Sequence, residues 1–151
     1  MPHNLTKLFA TFFYFGYFPF APGSMASIAG ALLAIGLYDK IPLYLLVLIL
    51  ITIIGFLFCS DAEEIFKKKD PSYVVIDEVS GMMISFLFLP LSPSIILTTY
   101  FLFRAFDMFK IYPIRKLESL PGAFGIMMDD ILAGIYTNIT MHIAIRFAHL
   151  S

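Results

Sequence analysis

The chain has 151 residues, of which 60% are hydrophobic and 14% are charged. An average soluble domain has roughly 45–50% apolar and about 25% charged residues. Ten basic and eleven acidic residues leave a net charge of −1, which excludes a basic nucleic-acid-binding module, and the apolar content excludes a disordered chain. The single cysteine, Cys59, excludes an internal disulfide framework. Length and composition predict a membrane protein with one domain over residues 1–151.

The apolar segments predict an all-α, polytopic membrane protein, beginning with three segments in the first half of the chain. The aromatic stretch 5–20 is irregular around Gly16 and Pro19, so we expect a helix that lies at the membrane interface. Residues 25–38 predict a short span. Residues 41–59 carry no charge and are long enough to cross the hydrocarbon core.

The second half of the chain predicts a helical hairpin and a last span. The apolar stretch 74–110 is interrupted at residues 90–93 by the sequence Pro-Leu-Ser-Pro, and proline breaks helices. Residues 131–150 predict the last span. The total is five spans, or four if residues 25–38 do not cross the membrane.

The basic residues predict an orientation in the membrane. Placing the loop Lys67–Lys69 in the cytoplasm puts all basic residues on that side except Lys40 and Arg146. Because cytoplasmic loops carry an excess of Lys and Arg, we expect the N-terminus inside, the C-terminus outside and a polar site on the cytoplasmic side.

Acidic residues from three segments are predicted to meet on that side. Asp77 lies thirteen residues before Pro90, and Asp107 lies thirteen residues after Ser94. In an antiparallel hairpin both therefore lie at the same depth, about 20 Å from the turn. The start of the last span can reach the same layer. The predicted cluster consists of Asp77, Glu78, Arg104, Asp107, Asp129 and Asp130.

Carboxylates in or near a bilayer usually face a polar cavity, a positive charge or a metal. Because the cluster contains no Cys or His, its all-oxygen ligands suit Mg²⁺. Candidate phosphate-binding groups are Arg104, Lys110, Arg115 and the backbone at 22–24 and 122–125. The alternative is a set of solvated helix ends, in which Arg104 pairs with Asp107 three residues along a helix.

Four blocks of the sequence resemble the phosphatidylglycerophosphatase A family. They are residues 21–27 (APGSMAS), 75–82 (VIDEVSGM), 103–115 (FRAFDMFKIYPIR) and 122–134 (GAFGIMMDDILAG). The resemblance implies a Mg²⁺-dependent enzyme of the bacterial inner membrane, with its active site facing the cytoplasm. It also implies that the enzyme acts on a phospholipid substrate, removing the terminal phosphate of phosphatidylglycerophosphate to give phosphatidylglycerol.

The resemblance also implies roles for particular residues. Metal binding and catalysis would fall to Asp77, Glu78, Asp107, Asp129 and Asp130. Phosphate binding would fall to Ser24, Arg104, Lys110, Arg115, Gly122 and Gly125. Ser24 stands where the family usually has Thr and keeps the hydroxyl group, whereas Ile111 stands where Pro is common and would allow the helix to continue after Lys110.

Two other functions are compatible with parts of the pattern. A CDP-alcohol phosphotransferase-like lipid enzyme would share the multiple aspartates and Mg²⁺, but its Asp-Gly-x-x-Ala-Arg opening is missing. A non-enzymatic ion-conducting or structural membrane subunit could use buried carboxylates as a permeation path. A cysteine phosphatase is excluded, because Cys59 is followed six residues later by Ile65 rather than Arg.

Overall fold

The computed structural model describes the backbone of residues 3–150 and the side chains of residues 3–148, and the regular structure in this range is helical. The α-helices are α1 (His3–Ala10), α2 (Pro22–Gly36), α3 (Ile41–Phe66), α4 (Ile76–Ser85), α5 (Pro93–Phe109), α6 (Ile114–Glu118) and α7 (Ala123–Leu150), with a short 3₁₀ turn at Phe15–Tyr17. The all-α prediction is confirmed.

Helix α4 lies at the centre of the fold, with α2, α3 and α7 packed around it. Glycines allow two of these helices to approach closely. A Cβ at Gly30 of α2 would lie 2.8 Å from the Val79 carbonyl oxygen of α4, and one at Gly134 of α7 would overlap with the Gly81 carbonyl. Backbones of adjacent helices come this close only where the crossing residues are small. The acidic first turn of α4 is therefore held deep inside the molecule.

Two helices in the described range, α3 and α7, are long and apolar enough to cross a membrane. Helix α2 has 15 residues and α4 has 10, which correspond to about 22 Å and about 15 Å against a hydrocarbon core of about 30 Å. The larger count of four to five spans stays a prediction.

Three element boundaries differ from those predicted. The helix expected over 5–20 ends at Ala10, because the backbone of 12–14 turns to positive φ. Helix α4 ends at Ser85, before the predicted turn, whereas α5 begins at Pro93 with the Ser92 hydroxyl accepting the Ile95 N–H at 3.4 Å. Helix α7 begins at Ala123 rather than near 131, so the Asp pair lies inside the helix instead of at its start.

Candidate functional site

Three carboxylates from two helices converge where α4 packs against α7. Asp77 and Glu78 lie in the first turn of α4, and Asp130 lies in the third turn of α7. One carboxylate oxygen from each residue lies within 4.8 Å of the others. A Cβ at Gly81 would lie 2.6 Å from the Asp130 carbonyl oxygen, so the lack of a side chain at residue 81 permits this convergence.

The two carboxylates of α4 each have an oxygen that forms no hydrogen bond with the described residues. Asp77 Oδ1 and Glu78 Oε2 are buried and have no hydrogen-bond partner among the described residues. Buried polar atoms are nearly always hydrogen-bonded, and buried charges are paired or bind metals. The donor set therefore fits a hard cation such as Mg²⁺, which prefers carboxylate oxygens.

Arg104 of α5 adds a positive charge beside this group. Its Nη1 lies 2.7 Å from Asp107 Oδ2 and donates to Ser27 Oγ at 3.4 Å. Its Nε is buried and finds no acceptor in the described part of the chain. The pairing expected for solvated helix ends is thus present, but it is largely buried, with side-chain exposures of 17% for Arg104 and 15% for Asp107.

A polar cavity of about 330 Å³ connects these groups with the start of α2. A Cβ at Gly23 would overlap with the Glu78 carboxylate, so a larger residue there would require this carboxylate to move. Ser24, to which the resemblance gives a role in phosphate binding, lines the same cavity. The lining residues are Ala21, Pro22, Gly23, Ser24, Asp70, Ser72, Val74, Asp77, Glu78 and Arg104.

Asp129 and Lys110 form a separate ionic group. Lys110 Nζ lies 2.7 Å from Asp129 Oδ2 and 2.8 Å from Glu118 Oε1. Burial lowers the pKa of Lys110, but the hydrogen bonds to the two carboxylates raise it more, so the pKa lies above its usual value and the amine stays charged. The structure thus pairs Lys110 with carboxylates, and its role in phosphate binding stays a prediction.

The remaining predicted phosphate-binding residues lie outside the polar cavity. Arg115 is exposed and lines a neighbouring cavity of about 420 Å³. Gly122 has a φ of +61° and packs against Ser60, whose hydroxyl accepts the Ala123 N–H at 2.8 Å. Gly125 lies so close to the Leu120 carbonyl that a Cβ would overlap with it. Both glycines shape the start of α7.

Sequence reasoning missed three polar residues at the site. Ser27 contacts Arg104, and Asp70 and Ser72 line the polar cavity. Ser27 could have been found, because it lies one helical turn after Gly23 and Ser24 and therefore on the same face of α2. Asp70 and Ser72 lie in the irregular segment before α4, which has no periodicity that predicts where a side chain points.

The fold and the site define a helical protein with an apolar exterior and a buried cluster of carboxylates beside an arginine. Comparison with known proteins places it more narrowly. The sequence model of the family described as phosphatidylglycerophosphatase A matches residues 8–145. The chain therefore belongs to the phosphatidylglycerophosphatase A family, and this membership makes it a phosphatase.

Individual relatives cover most of the chain. Proteins named phosphatidylglycerophosphatase A from Haemophilus influenzae and Escherichia coli are 35% and 36% identical over 91% and 87% of this chain and 87% and 78% of their own lengths. A protein from Bacteroides thetaiotaomicron, which carries the provisional name phosphatidylinositol-3-phosphatase, is 34% identical over 95% of both chains. No solved structure matches the chain significantly.

Proposed function

We propose that this protein hydrolyses phosphatidylglycerophosphate to phosphatidylglycerol and inorganic phosphate, with Mg²⁺ as cofactor. Family membership and the names of two relatives support the reaction. One structural observation supports the site. Two buried carboxylate oxygens, on Asp77 and Glu78, and one buried donor, Arg104 Nε, belong to residues that line a single cavity, and all three lack a partner among the described residues.

Asp77, Glu78 and Asp130 would hold the metal, because their oxygens already lie close together. When bound, Mg²⁺ polarises the phosphoryl group and offsets its negative charge. Three carboxylates without a cation would repel one another, and an ion in their midst would remove that cost. Asp129 stays apart from this group, since it is neutralised by Lys110.

The other residues would bind the phosphate and move protons. Asp107 holds the guanidinium of Arg104 in place through Nη1, which leaves Nε to donate to a phosphoryl oxygen. The start of α2 brings Ser24 to the same cavity. A carboxylate of the cluster acts either as the general base that takes a proton from an attacking water or as a nucleophile, in which case water then hydrolyses the acyl phosphate. In both cases the attacking oxygen forms a bond to phosphorus, the P–O bond to the glycerol oxygen breaks, and that oxygen takes up a proton.

We further propose that α3 and α7 cross the bacterial inner membrane, with the polar site on the cytoplasmic side. The hydrogen bond between Ser60 and Ala123 joins the last turns of α3 to the start of α7. Helix α3 would therefore end, and α7 would begin, at the same membrane face. Lys67–Lys69 follow α3 directly at that face, which the positive-inside tendency assigns to the cytoplasm. Asp130 lies seven residues along α7, about 10 Å from its first residue.

A second lipid substrate is suggested by the relative from Bacteroides thetaiotaomicron, whose name refers to a phosphatidylinositol 3-phosphate phosphatase. Both lipids carry a phosphate monoester, so the same cluster would serve either of them. Family membership favours a phosphatase over a CDP-alcohol phosphotransferase and over an ion-conducting subunit.

Phosphate release by the purified protein tests the function and the cofactor together. In detergent micelles, phosphatidylglycerophosphate should release phosphate faster than phosphatidylinositol 3-phosphate does. EDTA should stop the release and added Mg²⁺ should restore it, because the proposed site has only oxygen ligands. Full turnover after thorough chelation would contradict the metal assignment. Phosphate release from the inositol lipid alone would make that lipid, rather than phosphatidylglycerophosphate, the assigned substrate.

A further inference from the structure

Helices α2 and α5 enclose an apolar groove of about 290 Å³ that the proposed reaction does not use. Its walls are mainly apolar side chains that recur after three to four residues on each helix, which places them on one face. They include Ile28, Leu32 and Ile35 of α2 and Ile96, Leu97 and Phe101 of α5. Leu32 is 63% exposed and Leu97 is 59% exposed, so the groove opens to the surroundings of the protein.

The groove and the polar cavity lie along the same pair of helices. The polar cavity is lined by Ser24 at the start of α2 and by Arg104 of α5. Tyr100 lies one turn before Arg104 and lines the groove, and its hydroxyl donates to the Ser24 carbonyl at 3.2 Å. Tyr100 therefore marks the boundary between a polar site for phosphate and an apolar surface.

The groove extends over part of one leaflet of a bilayer. It is lined on α2 from Ile28 to Ile35, which are seven residues apart, or about 10 Å along the helix. Half of the hydrocarbon core of a membrane is about 15 Å. A molecule that fills both sites must have a phosphate at one end and a hydrocarbon chain at the other, which is the chemistry of a phospholipid monoester.

We propose that the groove between α2 and α5 binds one acyl chain of the lipid substrate while its phosphate occupies the polar cavity. This inference rests on the proposed function, because it takes the phosphate to lie beside Arg104. Burial of methylene groups would then contribute to substrate affinity. The hydroxyl of Tyr100 would fix α5 against the start of α2, so that the groove and the polar cavity keep their alignment.

Kinetics on two substrates tests the groove. Leu32→Trp and Leu97→Trp should narrow it, whereas Leu57→Trp, on the exposed face of α3, is the matched control. Each groove variant should raise the KM ratio of long-chain phosphatidylglycerophosphate to its deacylated head group about tenfold, as expected if about two methylene groups lose their contacts. An unchanged ratio, or an equal change in Leu57→Trp, would overturn the proposal.

Photolabelling separates this inference from the proposed function. Phosphatidic acid with a diazirine in one acyl chain should label peptides of α2 and α5 in the wild type. The label there should fall in Leu32→Trp and Leu97→Trp but not in Leu57→Trp. Labelling spread equally over the exposed faces of α3 and α7 would contradict acyl-chain binding in the groove, even if phosphate release were normal. If phosphate release failed but this labelling pattern held, only the function would have to be revised.

Discussion

At the scale of single residues, the buried polar groups divide into those paired within the protein and those that are not. Lys110 neutralises Asp129, and Arg104 holds Asp107. Asp77 and Glu78 each keep a buried oxygen without a partner among the described residues. An unpaired buried acceptor costs about 1–3 kcal/mol. Folding alone gives no reason for that cost, whereas binding a cation does.

Asp130→Asn removes one negative charge from the cluster and keeps the size of the side chain. Because an amide is a weaker ligand for a hard cation, we expect phosphate release to fall at least about 100-fold and the Mg²⁺ requirement to rise. Initial rates over a Mg²⁺ titration measure both. Glu64→Gln, at an exposed position of α3, is the control and should keep most activity. Near-normal rates in Asp130→Asn would break the proposed site.

Gly23→Ala tests how closely α2 must approach Glu78. The added Cβ would overlap with the Glu78 carboxylate, so that carboxylate must move and activity should fall by about tenfold or more. Alanine also favours the helix by up to about 1 kcal/mol, so the melting temperature should not drop sharply. In the control Gly36→Ala, the Cβ would meet no described heavy atom within 4 Å, and activity should be kept. Equal activity of the two variants would contradict the proposed geometry.

At the scale of the elements, glycines on both neighbouring helices hold α4 in place. Gly30 of α2 faces the Val79 carbonyl, and Gly134 of α7 faces the Gly81 carbonyl. Since α4 supplies two of the three clustered carboxylates, its position relative to α7 sets the spacing of the cluster.

Gly134→Ala should therefore weaken both the fold and the site. The added Cβ would overlap with the Gly81 carbonyl, and overpacking of this kind costs about 1–3 kcal/mol of unfolding free energy. Thermal unfolding in detergent and phosphate release measure the two effects. Thr140→Ala, exposed on the same helix, should change stability by less than about 0.5 kcal/mol. A Gly134→Ala protein as stable and active as wild type would show that the contact between α4 and α7 can accommodate a larger side chain.

Counting residues along the predicted hairpin placed Asp77 and Arg104 in one layer, and both line one cavity. The count assumed a helix up to Pro90, whereas α4 ends at Ser85. Their convergence therefore depends on how α4 packs against its neighbours, which the count does not predict.

Contacts that depend on irregular backbone could not be predicted in this way. Lys110 has a φ of 46° after the end of α5 and pairs with Asp129 and Glu118. Gly122 packs against Ser60, which lies more than sixty residues earlier in the chain. No local pattern records a contact at that distance, and phosphate binding by Lys110 and Gly122 stays a prediction.

At the scale of the whole molecule, the two ends of α3 test the proposed membrane orientation. Asp39 precedes this helix and Lys68 follows it, and both are exposed. If α3 crosses the membrane, an impermeant thiol reagent added outside should label Asp39→Cys but not Lys68→Cys. Cys59 is fully buried, so the parent protein should stay unlabelled and serves as the control. The reverse pattern would invert the orientation, and labelling of both positions from one side would show that α3 does not cross.

The glycine contacts around α4 also have a consequence for how this protein tolerates random mutation. The atoms nearest to a Cβ at Gly30 or Gly134 would be backbone carbonyl oxygens, which cannot adopt another rotamer to make room. In a library of substitutions, a second mutation nearby could therefore not rescue a larger residue at either position, whereas apolar side chains elsewhere in the core can exchange volume with their neighbours. Fitness measured across such a library should single out the two glycines as sharply as the acidic residues themselves.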